Sequence, residues 1–170
     1  VRSVVFAVLG YLLLMRVGEL ALSNRNAARL RARGAVRVEP DGFAFLVFAH
    51  VTWLVGMPIE ELARGPAFHL PALQGSLAAL FVGAELLRFW SVRTLGDRWC
   101  VRVIVLPGAP RVRSGPFRFL DHPNYFGVVV GVVVLPLALG LPWTAIVATP
   151  LKVLALWRRI RIEERALSAS

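Results

Sequence analysis

Residues 125–157 read YFGVVVGVVVLPLALGLPWTAIVATPLKVLALW, an apolar stretch interrupted in its middle by Gly140-Leu141-Pro142. The interruption carries no charge and is long enough only for a tight turn, so the stretch reads as an antiparallel helical hairpin, 125–141 and 143–157. Both segments fall short of the roughly 20 residues that cross a bilayer upright, which implies tilt or local thinning around them. Pro136 and Pro150 lie inside them. Membrane helices tolerate such prolines when neighbouring groups satisfy the freed carbonyls.

Outward from the hairpin, three further apolar segments occupy 4–22, 43–58 and 70–89. With 57% of its 170 residues hydrophobic and 18% charged, and a mean hydropathy of +0.65, the chain is too apolar for an ordinary water-soluble domain. It is equally unlike a disordered chain, since no low-complexity tract occurs. The first segment reads as a span and not as a cleavable signal, because Arg16 and Glu19 lie within it and no small-residue cleavage site stands out. The expected fold is all-α: one polytopic membrane domain over 1–170 with five crossings.

The formal charge of +10 comes almost entirely from arginine, Lys152 being the single lysine. Nucleic-acid binding is excluded as its cause, because the arginines lie between apolar runs and not on a polar domain. Their placement alternates instead. The connections after the first and third segments and the tail 158–170 are rich in arginine, whereas the second connection has only Arg64 beside Glu60 and Glu61 and the hairpin turn has none. Five crossings with the N-terminus outside and the C-terminus in the cytoplasm satisfy that parity. The lone Cys100 excludes an intramolecular disulfide and a multi-cysteine metal site, and no metal is expected.

Charges inside spans are costly and need a reason. Arg16 and Glu19 stand three apart in the first span, as do Glu85 and Arg88 in the third, so each pair can meet on one helical face. The stretch 90–122 is too polar to cross and too rich in glycine and proline to be one helix, which makes it a cytosolic cap over the helix ends. At its end, Asp121 or His122 can cap the fourth helix, with Pro123 in the first turn. The free backbone N–H groups of that turn suit a carboxylate or phosphate, and Gly127 permits close approach to the backbone. In the tail, Arg161 and Arg165, and Arg159 and Glu163, fall at helical spacing, so the last helix can continue into the cytosol.

Gly115-Pro-Phe-Arg118 through His122-Pro-Asn-Tyr125-Phe-Gly127, a helical hairpin, and then Arg161-Ile-Glu-Glu164 together resemble the membrane-embedded isoprenylcysteine carboxyl methyltransferase family and its short bacterial members. Arg16-Val-Gly-Glu19, Ser23-Asn-Arg-Asn26 and Arg33-Gly34 resemble the amino-terminal part of the bacterial subgroup. The resemblance implies S-adenosylmethionine as methyl donor, in a pocket formed by the last two spans, the loop before them and the tail. It implies that His122, Pro123, Asn124 and Tyr125 contact the cofactor, that Glu163 or Glu164 binds its polar groups, and that Arg159 or Arg161 completes the site. Gly127 joins the cofactor set, and Arg161, Glu164 and His122 are the expected catalytic groups. Two departures from the family pattern are Phe117, where tyrosine is frequent, and Asp121, where arginine is.

The expected activity is methyl transfer to an oxygen of a lipophilic acceptor drawn from the bilayer, an isoprenylcysteine-type carboxylate or a long-chain phenolic or pyrone lipid, in a bacterial inner membrane. Three other readings compete: a nicotinamide-dependent reductase of the sterol-reductase type, a phospholipid N-methyltransferase, and a non-catalytic transport or assembly subunit. The last requires Arg16, Glu19, Glu85 and Arg88 to line a path across the bilayer.

Overall fold

Five α-helices carry most of the described chain: α1 (Arg2–Ala32), α2 (Phe43–Ala63), α3 (Pro71–Leu95), α4 (Pro123–Ala138) and α5 (Pro142–Ser168). The computed structural model describes residues 2–168; the expected domain and tail also include Val1, Ala169 and Ser170, which lie outside the described residues. Three stretches, Arg2–Ala32, Phe43–Ala63 and Pro71–Arg98, are long and apolar enough to cross a membrane. α4, with 16 residues, rises only roughly 24 Å. The surface is dressed for lipid: Leu14 is 75% exposed, Val17 66% and Leu86 63%, on helices that in water would bury such side chains.

Helix ends depart from the expected ones for local reasons. α1 runs on past residue 22 to Ala32 because Ser23-Asn-Arg-Asn26 and the arginines after it contain no helix breaker; Gly34, with φ 85°, follows the end. α2 passes through Pro58 to Ala63; α5, by contrast, runs past Trp157 to Ser168 as the helical spacing of the tail arginines and Glu163 implies. The fold also contains strand, where none was expected. Residues 36–37 (β1) and 104–105 (β2) pair antiparallel, with Val36 opposite Val105 and Arg37 opposite Ile104, tying the connection after α1 to the cap after α3.

α3 lies along α4, and α5 packs on both α2 and α4. A core of Leu12, Trp53, Met57, Val132, Leu135, Leu139, Leu141 and Ala148 sits between α1, α2 and the α4–α5 hairpin. The hairpin turn is a Schellman motif: the Leu141 N–H reaches the Pro136 carbonyl at 2.8 Å, the Gly140 N–H reaches Leu137 at 3.0 Å, and Gly140 has φ 76°. Buried Glu60 of α2 accepts from the Trp143 and Thr144 N–H groups at 3.0 and 2.6 Å and from the Thr144 hydroxyl at 2.7 Å. A carboxylate on the first-turn N–H groups of α5 satisfies donors that have no intrahelical partner and fixes α5 against α2.

Candidate active site

At the other end of the hairpin, α4 begins and α5 continues side by side. His122 precedes α4 as its N-cap residue without a side-chain capping bond, and Pro123 occupies the first helical position, where a missing N–H is harmless. The cap leaves the first-turn N–H groups of α4 without a side-chain acceptor. A spacing of four residues on α5, close to one helical turn, then brings Arg159 and Glu163 to one face. Tyr125 donates to Glu163 Oε2 at 2.7 Å, Arg159 Nε donates to the Tyr125 hydroxyl at 3.4 Å, and His122 Nε2 stands 3.1 Å from Glu164 Oε1. The rings of His122 and Tyr125 stack with centroids 5.5 Å apart. Arg111, from the cap, holds Glu164 Oε2 at 2.8 Å, and this hydrogen bond keeps the Glu164 carboxyl below its ordinary range despite the opposing effect of burial.

Behind this surface, Arg159 is 2% exposed. It donates to the Asp41 carbonyl at 3.2 Å and to the Val101 carbonyl, and lies 3.7 Å from the Asp41 carboxylate. Asp41 in turn accepts from the Phe43 N–H at 3.1 Å and from Arg102 at 3.0 Å, and the Arg102 guanidinium covers the Phe43 ring at 3.7 Å. Ser23 and Asn26 of α1 reach the same wall: Ser23 Oγ accepts from the Val101 N–H at 2.9 Å, and Asn26 Nδ2 donates to the Trp99 carbonyl at 2.8 Å. Sequence reasoning missed Asp41, Arg102 and Arg111. Asp41 alone left a trace, an acidic residue two positions before an apolar helix, the spacing of an Asx turn.

A cavity of about 420 Å³ opens from this cluster and runs between the helices. His122, Asn124, Tyr125, Arg159 and Glu163 line its inner end, with Arg98 and Phe117 from the cap. Asn124 Oδ1 is buried there without a hydrogen-bond partner among the described residues. Deeper, the walls are apolar apart from one level of charge. Arg88 donates to Glu85 at 2.7 Å and to Glu19 at 2.7 Å, while Arg16 pairs with Glu19 at 2.6 Å. The two expected pairs thus merge into one network facing the cavity at a single depth, not strung along a path across the membrane. Cys100 also lines the cavity, and burial pushes its thiol up to about 11.

The structure brings together His122, Asn124, Tyr125, Arg159, Glu163 and Glu164 of the expected site residues. Pro123 is fully buried beneath them. Gly127 does not face the cavity: a Cβ there would lie 2.6 Å from Arg88 Cγ and 2.9 Å from the Ala84 carbonyl oxygen, so what approaches its backbone is α3. Arg161 stands away from the cluster, its guanidinium 4.8 Å over the Trp157 ring, because two positions along a helix turn a side chain to the far side. Arg159 takes the inward place between the two candidates.

A family model covers the segment that holds this cluster, and two relatives match nearly the whole chain. Residues 77–169 match the family model of isoprenylcysteine carboxyl methyltransferase (ICMT). An uncharacterized protein of Haemophilus influenzae is 30% identical over 158 residues, covering 92% of this chain and 91% of the relative. The uncharacterized protein YpbQ of Bacillus subtilis is 25% identical over 156 residues, covering 92% of each. No solved structure matches significantly. With more than half of the chain inside the family model, including every residue of the α4–α5 cluster, this protein belongs to the isoprenylcysteine carboxyl methyltransferase family.

Proposed function

We propose that the chain is an integral membrane O-methyltransferase that uses S-adenosylmethionine, crosses a bacterial inner membrane five times with its C-terminus in the cytoplasm, and methylates a lipophilic acceptor. The supporting observation is the meeting of His122 and Tyr125 with Glu164 and Glu163 at the inner end of a cavity that continues between apolar helix faces. A water-soluble zwitterion and a lipid are served by opposite ends of such a cavity.

The residues fit the donor. S-adenosylmethionine, when bound, supplies a methyl group activated by its positively charged sulfur. Glu163 and Glu164 offer acceptors for an ammonium or ribose hydroxyls, the uncapped first turn of α4 offers N–H groups to a carboxylate, and Asn124 Oδ1 offers a buried acceptor that none of the described residues uses. Arg159 holds Tyr125 from behind, and Arg111 holds Glu164, so the polar groups are set before any ligand arrives. The chain's part in the transfer is alignment and exclusion of water by the apolar walls. An acceptor that is already ionised needs no base. A phenol, with a pKa of about 10, needs one, and His122, oriented by Glu164, is placed to take that proton.

Membranes containing the chain, incubated with methyl-tritiated S-adenosylmethionine, should pass label into an organic-extractable, base-stable or ester-linked lipid. The Glu163→Gln and His122→Ala variants should reduce that label about tenfold or more. Label in a phospholipid amine would reassign the acceptor atom, and no lipid label in any membrane preparation would refute the reading.

A further inference from the structure

Arg158, Arg161 and Arg165 are exposed on one face of α5, the face turned away from Arg159 and Glu163. They line a groove whose other wall is the turn at Val38 and Pro40, with Ile162 between. The turn sits close on the helix, since Ile162 Cδ1 lies 3.5 Å from the place a Cβ would take on Gly42. Among the described residues, no carboxylate lies within ion-pair distance of any of the three arginines. Neighbouring acids are engaged elsewhere: Glu39 pairs with Arg37, Glu163 accepts from Tyr125, and Glu164 is held by Arg111 and His122. Three guanidiniums within roughly 10 Å of helix repel one another, and an anion in the groove relieves that repulsion.

The rest of that helix face decides which anion. Towards the start of α5 it carries Trp143, Val147 and Leu154, all exposed, at the helical spacing that lines them up with Arg158, Arg161 and Arg165. Trp157 ends the apolar run and lies under the Arg161 guanidinium, 4.8 Å from its ring centroid. Tryptophan and arginine are the residues that mark the boundary between hydrocarbon and headgroups. A soluble phosphate or a nucleic acid uses the arginines and leaves the apolar stripe bare, whereas a molecule with a phosphate at one end and acyl chains at the other covers both. Guanidinium forks match phosphate oxygens in geometry as well as in charge. A headgroup with its own ammonium would bring a fourth cation to the groove, so an anionic headgroup is favoured over a zwitterionic one.

We infer that this groove binds an anionic phospholipid, its phosphodiester held by Arg158, Arg161 and Arg165 and its acyl chains lying along Leu154, Val147 and Trp143. The inference takes from the proposed function only that α5 crosses the bilayer, and it holds whatever reaction the chain performs. The far wall of the groove leads directly into Asp41, which pairs with Arg102 and Arg159, so a lipid in the groove bridges that turn to α5.

The test is native mass spectrometry of the delipidated chain with equimolar dioleoylphosphatidylglycerol and dioleoylphosphatidylcholine, which differ in headgroup charge and not in chains. The native chain should retain the phosphatidylglycerol by about tenfold over the phosphatidylcholine, and the double variant R161Q/R165Q should fall to about twofold or less. R25Q/R33Q removes the same charge from exposed arginines in and just after α1 and should keep the native preference. Equal thermal midpoints in detergent certify that the variants fold, and R158Q, expected to lower the preference about threefold, repeats the test with a single exposed side chain. An unchanged preference in R161Q/R165Q and R158Q overturns the inference. So does an equal loss in R25Q/R33Q, which would assign the effect to overall charge, or a native chain that retains both lipids alike or neither.

Discussion

Tyr125 and Glu163, thirty-eight residues apart in the chain, are joined by a hydroxyl-to-carboxylate hydrogen bond of 2.7 Å that closes α4 onto the C-terminal half of α5. The bond orients the one Glu163 oxygen that points at Tyr125 and leaves the other for a ligand. Tyr125→Phe removes the donor and keeps the ring. A hydrogen bond to a charged group contributes about 1.5–3 kcal/mol, so S-adenosylhomocysteine should bind about tenfold or more weakly to this variant by calorimetry.

Arg159 is the structural centre behind that pair, since one side chain ties α5 to the Asp41 loop, to the Val101 carbonyl and to Tyr125. Removing one partner of a buried, hydrogen-bonded pair costs about 3–5 kcal/mol, and lysine does not restore a forked set of donors. Arg159→Ala should therefore lower the thermal midpoint in detergent sharply, and Arg159→Lys should recover only part of the loss. Full recovery by lysine would mean that charge alone matters there.

Gly127 is a packing residue. A methyl group at this position meets Arg88 Cγ at 2.6 Å and the Ala84 carbonyl oxygen at 2.9 Å, and the carbonyl belongs to a helix that cannot yield locally. Gly127→Ala should destabilise by about 1–3 kcal/mol, whereas Gly10→Ala, with nothing within 4 Å of the added atom, should be neutral or mildly stabilising. Differential unfolding of the two variants under the same detergent conditions separates packing from helix propensity.

These positions show what one sequence discloses. Five helices, the hairpin at Gly140 and the residues that meet at the α4–α5 mouth were legible, because apolar run length, an uncharged Gly-Leu-Pro turn and motif order are local properties. The exact ends of α1 and α2 were not: hydropathy windows end where apolar residues end, while a helix continues until a breaker, so Asn26 and Glu60 extend beyond their windows to serve distant contacts. Nor could spacing decide between Arg159 and Arg161, since the inward face of α5 is set by its packing on α2 and α4. Asp41, Arg102 and Arg111 come from connections whose approach to the site depends on the β1–β2 pairing, and two-residue strands leave no periodic signal.

Asp41 gives the fold an acid-sensitive element. Burial pushes its carboxyl up, but the Phe43 N–H and the Arg102 guanidinium outweigh this and hold it below the ordinary value of 3.8. A carboxyl depressed in the folded state adds stability that is complete above the unfolded value and is lost as pH falls through the folded one. The native chain should therefore be more stable than Asp41→Asn at neutral pH, with the difference shrinking below about pH 4. Thermal midpoints of both across that range check it; a constant difference would assign the effect to packing.

The central claim is that the inner ends of α4 and α5 hold a methyl donor. Calorimetry of the intact chain in nanodiscs with S-adenosylhomocysteine tests it most directly, alongside His122→Ala and Glu164→Ala. The account predicts one saturable site in the native chain and binding about tenfold or more weaker in each variant. Absence of heat with the native chain, or equal affinity in all three, would contradict it.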